Sequence, residues 1–334
     1  MASHVYTEVS FIRMSDNMDL SIIIVNWNSK DYLQKCIASI LALTSGITYE
    51  IVVIDNASFD GVGEMLKKFY PQVRFIQSDK NLGFAKANNT AFKVSSGSHI
   101  LFLNPDTELF VPAINIMFDY IHKLPKAGAL GCRLLNADGS IQTSCIQSFP
   151  TILNQLLSSE FLRALFPKSS LWGMAALFSA ENWPKEVEMI SGACIMLRRT
   201  LFEHVGLFSE DYFMYAEDLD LCYKIKQAGY ANYYVPDAIA IHFGGGSTEK
   251  GPRDFSAVMM RESAWRFLRK TRGRLYGLAY RISMLISAIG RLVLLMIISP
   301  LYLIGNGRAS WNASFRKWRV ILIWSLGFEG SVIN

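Results

Sequence analysis

Four short, almost wholly apolar runs punctuate the first hundred residues: Leu20–Val25, Glu50–Ile54, Val73–Gln77 and His99–Leu103. Between them lie segments with helical spacing. Asn28–Ala42 carries Leu33, Ile37, Ile40 and Leu41 on one face, and Gly63–Tyr70 and Phe84–Ser95 read the same way. The runs do not alternate apolar with polar residues, so both faces of each strand must be covered. Strands of this kind, each followed by a helix, build a parallel sheet with helices on both sides. In such sheets ligands bind beyond the carboxyl ends of the strands. That rule singles out Asn26–Ser29, Asp55–Ser58 and Asn104–Glu108.

The remainder is less regular. Residues 110–190 are mixed, with a turn at Asn136–Gly139 and a weakly patterned stretch over 145–185. Glu188–Leu197 predicts a strand, Arg199–Val205 a short helix and Tyr215–Lys226 an acid-rich helix. Strand-like pieces follow at Tyr233–Val235 and Ala238–Ile241. The glycine loop His242–Ser247 and a basic helix over Phe255–Lys270 come next. Residues 1–19 read as a leader without the apolar run of a secretory signal, so the catalytic part is expected in the cytosol. The expected organisation is therefore a leader over 1–19, a catalytic domain over 20–254 and a helical region over 255–334.

With 51% apolar and 18% charged residues, a disordered chain is excluded. The apolar excess collects after residue 275. The net charge of +5 is concentrated in Arg261–Arg281, where Glu262 is the lone acid. Because the apolar run Ile282–Ile304 follows at once, this block suits an anionic membrane surface and not a nucleic acid. Burial of its aliphatic side chains favours insertion, but a central Arg291 opposes it by about 2.5 to 3.5 kcal/mol. A helix lying in the interface with its arginines reaching for water fits at least as well as a span. Trp311, Trp318 and Trp324, set among Arg and Lys, suit the headgroup boundary. The five cysteines have neither disulfide-framework nor zinc spacing and read as buried thiols.

Four clusters can carry chemistry. Asp55, in the turn Asp55-Asn-Ala-Ser58, can accept from a ribose or a base, or merely form the turn. In Asn104-Pro-Asp-Thr-Glu108 the carboxylates of Asp106 and Glu108 can hold a hard cation, or face solvent in a proline turn. Glu217, Asp218 and Asp220 can cap a helix start or supply a general base. His242 precedes the glycines and can complete a metal site or be structural. No phosphate-binding G-x-x-x-x-G-K-[ST] loop and no G-x-G-x-x-G fingerprint occurs.

Ile23–Asn28, Val53–Ser58, Asn81–Ala85, Asn104–Asp106, Ser191–Ala193, Phe213–Cys222 and His242 with its glycines come in an order that resembles the inverting family 2 glycosyltransferases of the GT-A fold. The likeness is to bacterial rhamnosyltransferase-like members and spans about residues 20–250. It implies an α/β architecture: a mostly parallel sheet flanked by helices, with a Rossmann-like nucleotide-binding half and a C-terminal helical, membrane-associated appendage. It implies a nucleotide-diphosphate sugar donor, dTDP-rhamnose ahead of a UDP-sugar. The implied acceptor is a polyprenyl-diphosphate-linked saccharide of cell-surface polysaccharide synthesis, met at the cytoplasmic face of the inner membrane.

Carried over residue by residue, Asn26, Asp55 and Asn56 would contact the nucleoside. Asn81, Gly83, Phe84 and Asn88 would line its pocket. Asp106 and His242 would hold Mg²⁺ or Mn²⁺, with Asn104 standing where the family often has a first aspartate and Glu108 as an extra ligand. Asp218 would be the catalytic base, with Glu217 as the alternative, and Ser191–Ala193 would shape the acceptor side. A nucleotidyltransferase would need a basic, glycine-rich triphosphate loop, which Asn26–Lys30 is not. A non-catalytic partner would not need Asp106, Asp218 and His242 together.

Overall fold

The computed structural model describes residues 18–157, 183–212, 214–244, 253–304 and 308–328, together with positions 162, 165, 166, 169 and 171. Leader residues 1–17, Phe213 and Gly245–Ser247 of the glycine loop lie outside the described residues, as does much of 158–182.

The four apolar runs are strands: β1 Leu20–Asn26, β2 Tyr49–Asp55, β3 Arg74–Gln77 and β4 His99–Leu103. Helices α1 Lys30–Leu43, α2 Val62–Phe69 and α3 Phe84–Phe92 connect them. β1 pairs in parallel with β2 on one side and with β4 on the other, and every residue of β1 is buried. The chain runs outward from β1 to β3 and then returns to the far side of β1. The strand order therefore reverses between β1 and β4, where an open α/β sheet forms its ligand crevice.

The mixed region supplies more of the sheet than its pattern suggested. β5 Thr107–Leu109, α4 Ala113–Lys123 and β6 Ala127–Leu135 follow β4. Then come the short β7 Ile146–Gln147, α5 Ile152–Leu157, β8 Lys185–Val187, β9 Met189–Ile190, β10 Cys194–Arg198 and α6 Arg199–His204. The acidic helix is α7 Glu217–Gln227, and β11 Ala231–His242 closes the set. Among the described residues the main sheet runs β3-β2-β1-β4-β10-β6-β11-β5, with β8 also on β11. β10, β5 and β8 are antiparallel to their neighbours, so the sheet is mostly but not wholly parallel.

Two sequence expectations are corrected here. The single strand expected over Glu188–Leu197 breaks at Ser191–Ala193, leaving β9 paired with β7 and β10 with β4 and β6. The break frees the Gly192 amide from the ladder for a side-chain partner described below. The pieces expected at Tyr233–Val235 and Ala238–Ile241 form one strand, β11, with a register irregularity between Val235 and Ile239. Pro236, which cannot donate to a ladder, sits inside that irregularity.

Three helices end the described chain: α8 Arg253–Arg272, α9 Arg274–Ile304 and α10 Arg308–Ser325. They share the apolar core of the sheet domain through Val258, Phe267, Leu268, Tyr280, Met284 and Trp324. Buried polar contacts fix them as well. Lys270 Nζ lies 2.8 Å from Asp220 Oδ1 of α7, and Glu262 accepts from Arg266 Nε at 2.6 Å and Trp324 Nε1 at 2.9 Å.

Only one edge of α9 is packed, through Tyr280, Met284, Ala288 and Leu292. Another edge shows Leu275, Leu278, Ile282, Ile286, Ile289, Val293 and Ile297 to solvent, one apolar residue per turn. The segment Arg274–Pro300 is long and apolar enough to cross a membrane, with an 18-residue stretch whose mean hydropathy is 2.2. Near its end Pro300 lacks the N–H that would reach Met296 O, and Ser299 Oγ donates to that carbonyl instead at 2.8 Å. All five cysteines are buried and free.

Gly97 shows how tightly β4 enters beside β1. A Cβ there would lie 2.4 Å from the Ser21 nitrogen and 2.5 Å from the Leu20 carbonyl carbon, both backbone atoms that cannot swing aside. Gly97→Ala is expected to destabilise the fold by about 2 kcal/mol or more, read as a lowered midpoint in denaturant. An unchanged midpoint would show that the two strands can separate without cost.

Candidate active site

The loops at the carboxyl edge of the sheet converge on one cleft of about 930 Å³. Its walls include Val25 near the end of β1 and Trp27 beyond it, Asn56 beyond β2, Asn104–Asp106 beyond β4, the break Ser191–Ala193, and His242 at the end of β11. Glu217 and Asp218 enter from α7, and side chains of α8, α9 and α10 complete the lining.

One side of the cleft is a lattice of amides. Asn56 Nδ2 donates to Asn81 Oδ1 at 2.8 Å, Leu82 N donates to Asn56 Oδ1 at 2.7 Å, and Gly83 N donates to Asn81 Oδ1 at 2.9 Å. Gly83, at φ 75°, turns the chain into α3 in a conformation suited to glycine. Asn56, Asn81, Gly83 and Phe84 face the cleft.

Asn26, Asp55 and Asn88 are buried and are not among the cleft-lining residues. Asp55 accepts from Asn26 Nδ2 (2.8 Å), Gln77 Nε2 (2.8 Å), Ser58 N (3.1 Å), Phe59 N (3.2 Å) and Ser58 Oγ. Burial alone would raise its pKa, yet the Ser58, Asn26 and Gln77 side chains hold it below the usual carboxylate range. Its acceptor capacity is spent on fixing the β2 turn. Asn88 Nδ2 bonds Phe84 O within α3 at 3.0 Å.

Asp106 and His242, remote in sequence, meet with Oδ1 and Nε2 3.2 Å apart. His242 Nδ1 lies 2.7 Å from Gln142 Oε1, while Gln142 Nε2 donates to Asn136 Oδ1 and His242 O. This network makes Nδ1 a donor to Gln142 and points Nε2 at a carboxylate. A proton on Nε2 or a cation between the two groups would satisfy that pair, and an oxygen–imidazole set suits Mg²⁺ or Mn²⁺. No third His, Cys, Asp or Glu joins them among the described residues, so water and ligand oxygens would fill the remaining positions. Glu108 is not part of the cleft lining, and its Oε1 is buried without a partner. Asn104 Nδ2 lies 3.3 Å from His242 Nε2.

The acidic pair is set by strained backbone. Tyr215 and Ala216 take φ of 66° and 74° in succession, a conformation costly for residues with a Cβ. Asn28, Ala57 and Phe59, also in loops at this edge, share it. Asp218 Oδ2 then accepts from Gly192 N at 2.8 Å and Oδ1 from Leu219 N at 2.8 Å. A Cβ on residue 192 would press on Asp218 at 3.3 Å, so this close approach favours glycine. Burial raises the Asp218 pKa, opposed by those two amides. Glu217 has only its own backbone N–H as a donor, and its Oε2 is unpaired. Burial first, and the neighbouring Asp218 second, push Glu217 up to about 8. Asp218 is thus the better-stabilised anion of the two. Asp220, on the same helix, faces away to Lys270 and Ser209.

The model of the family described as glycosyl transferase family 2 matches residues 21–206, more than half of the chain, and that of glycosyl transferase family group 2 matches 141–329. The chain belongs to family 2 of the glycosyltransferases. This glycosyltransferase is 29% identical over 250 residues to the N-acetylglucosaminyl-diphospho-decaprenol L-rhamnosyltransferase of Mycobacterium tuberculosis, covering 72% of this chain and 80% of that one. It is 27% identical over 232 residues to the rhamnosyltransferase WbbL of Escherichia coli K12, covering 66% and 82%.

In three dimensions it resembles the mannosyltransferase of Pyrobaculum calidifontis in complex with GDP-Man and Mn²⁺. The TM-score is 0.55 at 15% identity, over 94% of this chain and 89% of that one. It also resembles GalNAc-T7 with UDP, GalNAc and Mn²⁺, with a TM-score of 0.52 at 18% identity, over 68% of this chain and 44% of that one. The fold is that of the GT-A enzymes, and the chain is an inverting glycosyltransferase.

Sequence reading missed several residues that this glycosyltransferase brings to the site. Gln142 orients His242 but follows an ordinary turn and carries no periodic signal. Gly192 was expected to border the acceptor, but its amide as a donor to Asp218 was not foreseen, because it was also read as strand interior. Arg261, Arg291, Lys317 and Trp318 line the cleft from helices whose pattern spoke only of a membrane.

Glu217 gives a sign-definite pH effect. Its folded-state pKa lies above its unfolded one, so between about pH 4.5 and 8 the folded chain holds a proton that the unfolded chain has lost. Stability therefore falls as pH rises through that window. Glu217→Gln should remove this fall, raising Tm at pH 8.5 by roughly 5 °C over wild type while leaving it nearly unchanged at pH 4. Parallel melting curves for the two proteins across this range would contradict the assignment.

Proposed function

We propose that this enzyme transfers rhamnose from dTDP-rhamnose to a polyprenyl-diphosphate-linked saccharide in cell-surface, O-antigen-like polysaccharide synthesis. It would do so at the cytoplasmic face of the inner membrane. The observation that carries this reading is the meeting of Asp106, His242 and Asp218 in one cleft. The rhamnosyltransferases among its relatives support the choice of sugar and of a lipid-linked acceptor.

In this reading residues 20–254 are the catalytic domain and 255–334 the membrane-association region. The nucleoside enters along Asn56, Asn81, Gly83 and Phe84, with Asn26, Asp55 and Asn88 holding that wall from behind. Asp106 and His242, beside Asn104, would hold Mg²⁺ or Mn²⁺, which would supply positive charge to a departing nucleoside diphosphate. Asp218 takes the proton of the acceptor hydroxyl as that oxygen attacks C1 from the face opposite the leaving group, which inverts the anomeric centre. Glu217, neutral at pH 7, keeps a second negative charge away from the base. Ser191–Ala193 borders the acceptor, and the Gly192 amide holds Asp218 as the proton arrives. The apolar edge of α9 lies in the membrane interface while its other edge stays on the protein.

The test is nucleoside-diphosphate release from dTDP-rhamnose and from a panel of UDP-sugars, with membrane lipid extract as acceptor. Release with dTDP-rhamnose, abolished by chelation and restored by Mn²⁺ or Mg²⁺, is expected. Asp218→Asn should cut kcat by about 10²- to 10⁴-fold with little change in donor KM. Full turnover in that variant removes Asp218 as the base, and release from a UDP-sugar alone changes the donor.

A further inference from the structure

The wall that the C-terminal helices give to the cleft is cationic. Arg261 of α8 and Arg291 of α9 both line it, with Lys317 and Trp318 of α10 beside them. Neither arginine forms an ion pair with a carboxylate among the described residues. Arg261 Nη1 donates to Gln155 Oε1 at 2.9 Å, and its Nε is buried without a partner. Arg291 Nη2 donates to Leu156 O at 3.1 Å, and its guanidinium lies over the Trp318 ring at 4.4 Å. Burial, and then the nearby charge of Arg261, lower the Arg291 pKa, so the two cations feel one another.

Two like charges held in place by neutral oxygens and an aromatic face, and lining one cleft, form a receptor for an anion. Guanidinium forks match phosphate oxygens in particular. Location narrows the anion further. Arg291 stands on the same helix as the exposed Ile286, Ile289, Val293 and Ile297, so the cleft wall and the apolar edge are two sides of one element. An anion bound there would be joined to something that dissolves in lipid. The strand-end pair Asp106 and His242 belongs to other elements and serves the donor.

We propose that Arg261 and Arg291 form a subsite for the diphosphate of a lipid-linked acceptor, holding it at the bilayer surface while its sugar reaches Asp218. The subsite rests on the lipid-acceptor reading above and assigns residues to it. Trp318 fixes the Arg291 plane, and Gln155 and Leu156 of α5 set the position of both forks.

The experiment measures binding, so that it does not depend on turnover. Full-length protein in nonionic detergent, with chelator present to silence the donor metal site, is titrated with farnesyl diphosphate, with farnesol and with phosphatidylglycerol vesicles. Farnesyl diphosphate should bind at least tenfold more tightly than farnesol. Arg261→Gln and Arg291→Gln should each weaken it by tenfold or more, and Asp106→Asn should leave it unchanged. Arg291→Lys, which keeps the charge, should recover part of the loss. This separates the subsite from mere loss of the tie to Leu156, and Arg261→Gln leaves that tie intact.

Unaltered farnesyl diphosphate binding in both glutamine variants overturns the proposal. So does a loss in Asp106→Asn equal to theirs, or a loss confined to phosphatidylglycerol vesicles. Arginine-dependent diphosphate binding in a protein that fails the rhamnose transfer assay would sink the transfer reading and support the subsite.

Discussion

The parallel pairing of β1 with both β2 and β4 sets everything at the cleft. Asn26 is in register with Asp55, and Ile24 with both Val53 and Leu103. The three chains therefore leave the sheet at nearly one level, and their next residues have nowhere to go but into a common rim. Fixing that register takes a fully buried central strand, since a slip by one residue would reverse every side chain. The Asn26–Asp55 side-chain hydrogen bond reinforces the last ladder pair. Both residues act as the hinge pin of the rim and leave Asn56 and Asn81 to face outward.

The rim is held open by conformations that the sequence does not favour. Asn28, Ala57, Phe59, Tyr215 and Ala216 are all left-handed without being glycine. Each costs on the order of 1 kcal/mol or more, which the buried sheet and its helices must offset. At Tyr215–Ala216 the result is visible: α7 starts at the angle that lets Asp218 accept the amides of Gly192 and Leu219. The break between β9 and β10 serves the same contact from the other side.

Much of this was legible beforehand, and the reasons differ by residue. Continuous apolar strands and periodic helices are local signals, so β1 to β4 and α1 to α3 could be placed within a few residues. Asp106 and His242 could be paired only through the resemblance, because nothing local links a proline turn to a glycine loop. β6 and α4 escaped because glycine and polar residues dilute their pattern. Gly128 and Gly131 sit in β6 where a Cβ would meet Ile225 at 2.2 Å and Ile190 at 2.8 Å, so glycine there reports close packing instead of a turn. Gln142 and Arg291 act only through partners far along the chain, a relation that spacing cannot carry.

The contact between Lys270 and Asp220 has a wider meaning for how the enzyme is built. Asp220 is almost wholly enclosed and lies two positions from Asp218, while Lys270 belongs to the helix leading to the apolar α9. Stripping away the last three helices would uncover the core face against which Phe267 and Trp324 pack, and would leave Asp220 to Lys224, 3.6 Å away, and to the Ser209 and Tyr212 hydroxyls. The sheet domain and the last three helices therefore share one core, and a trimmed chain would expose the apolar surface those helices now cover.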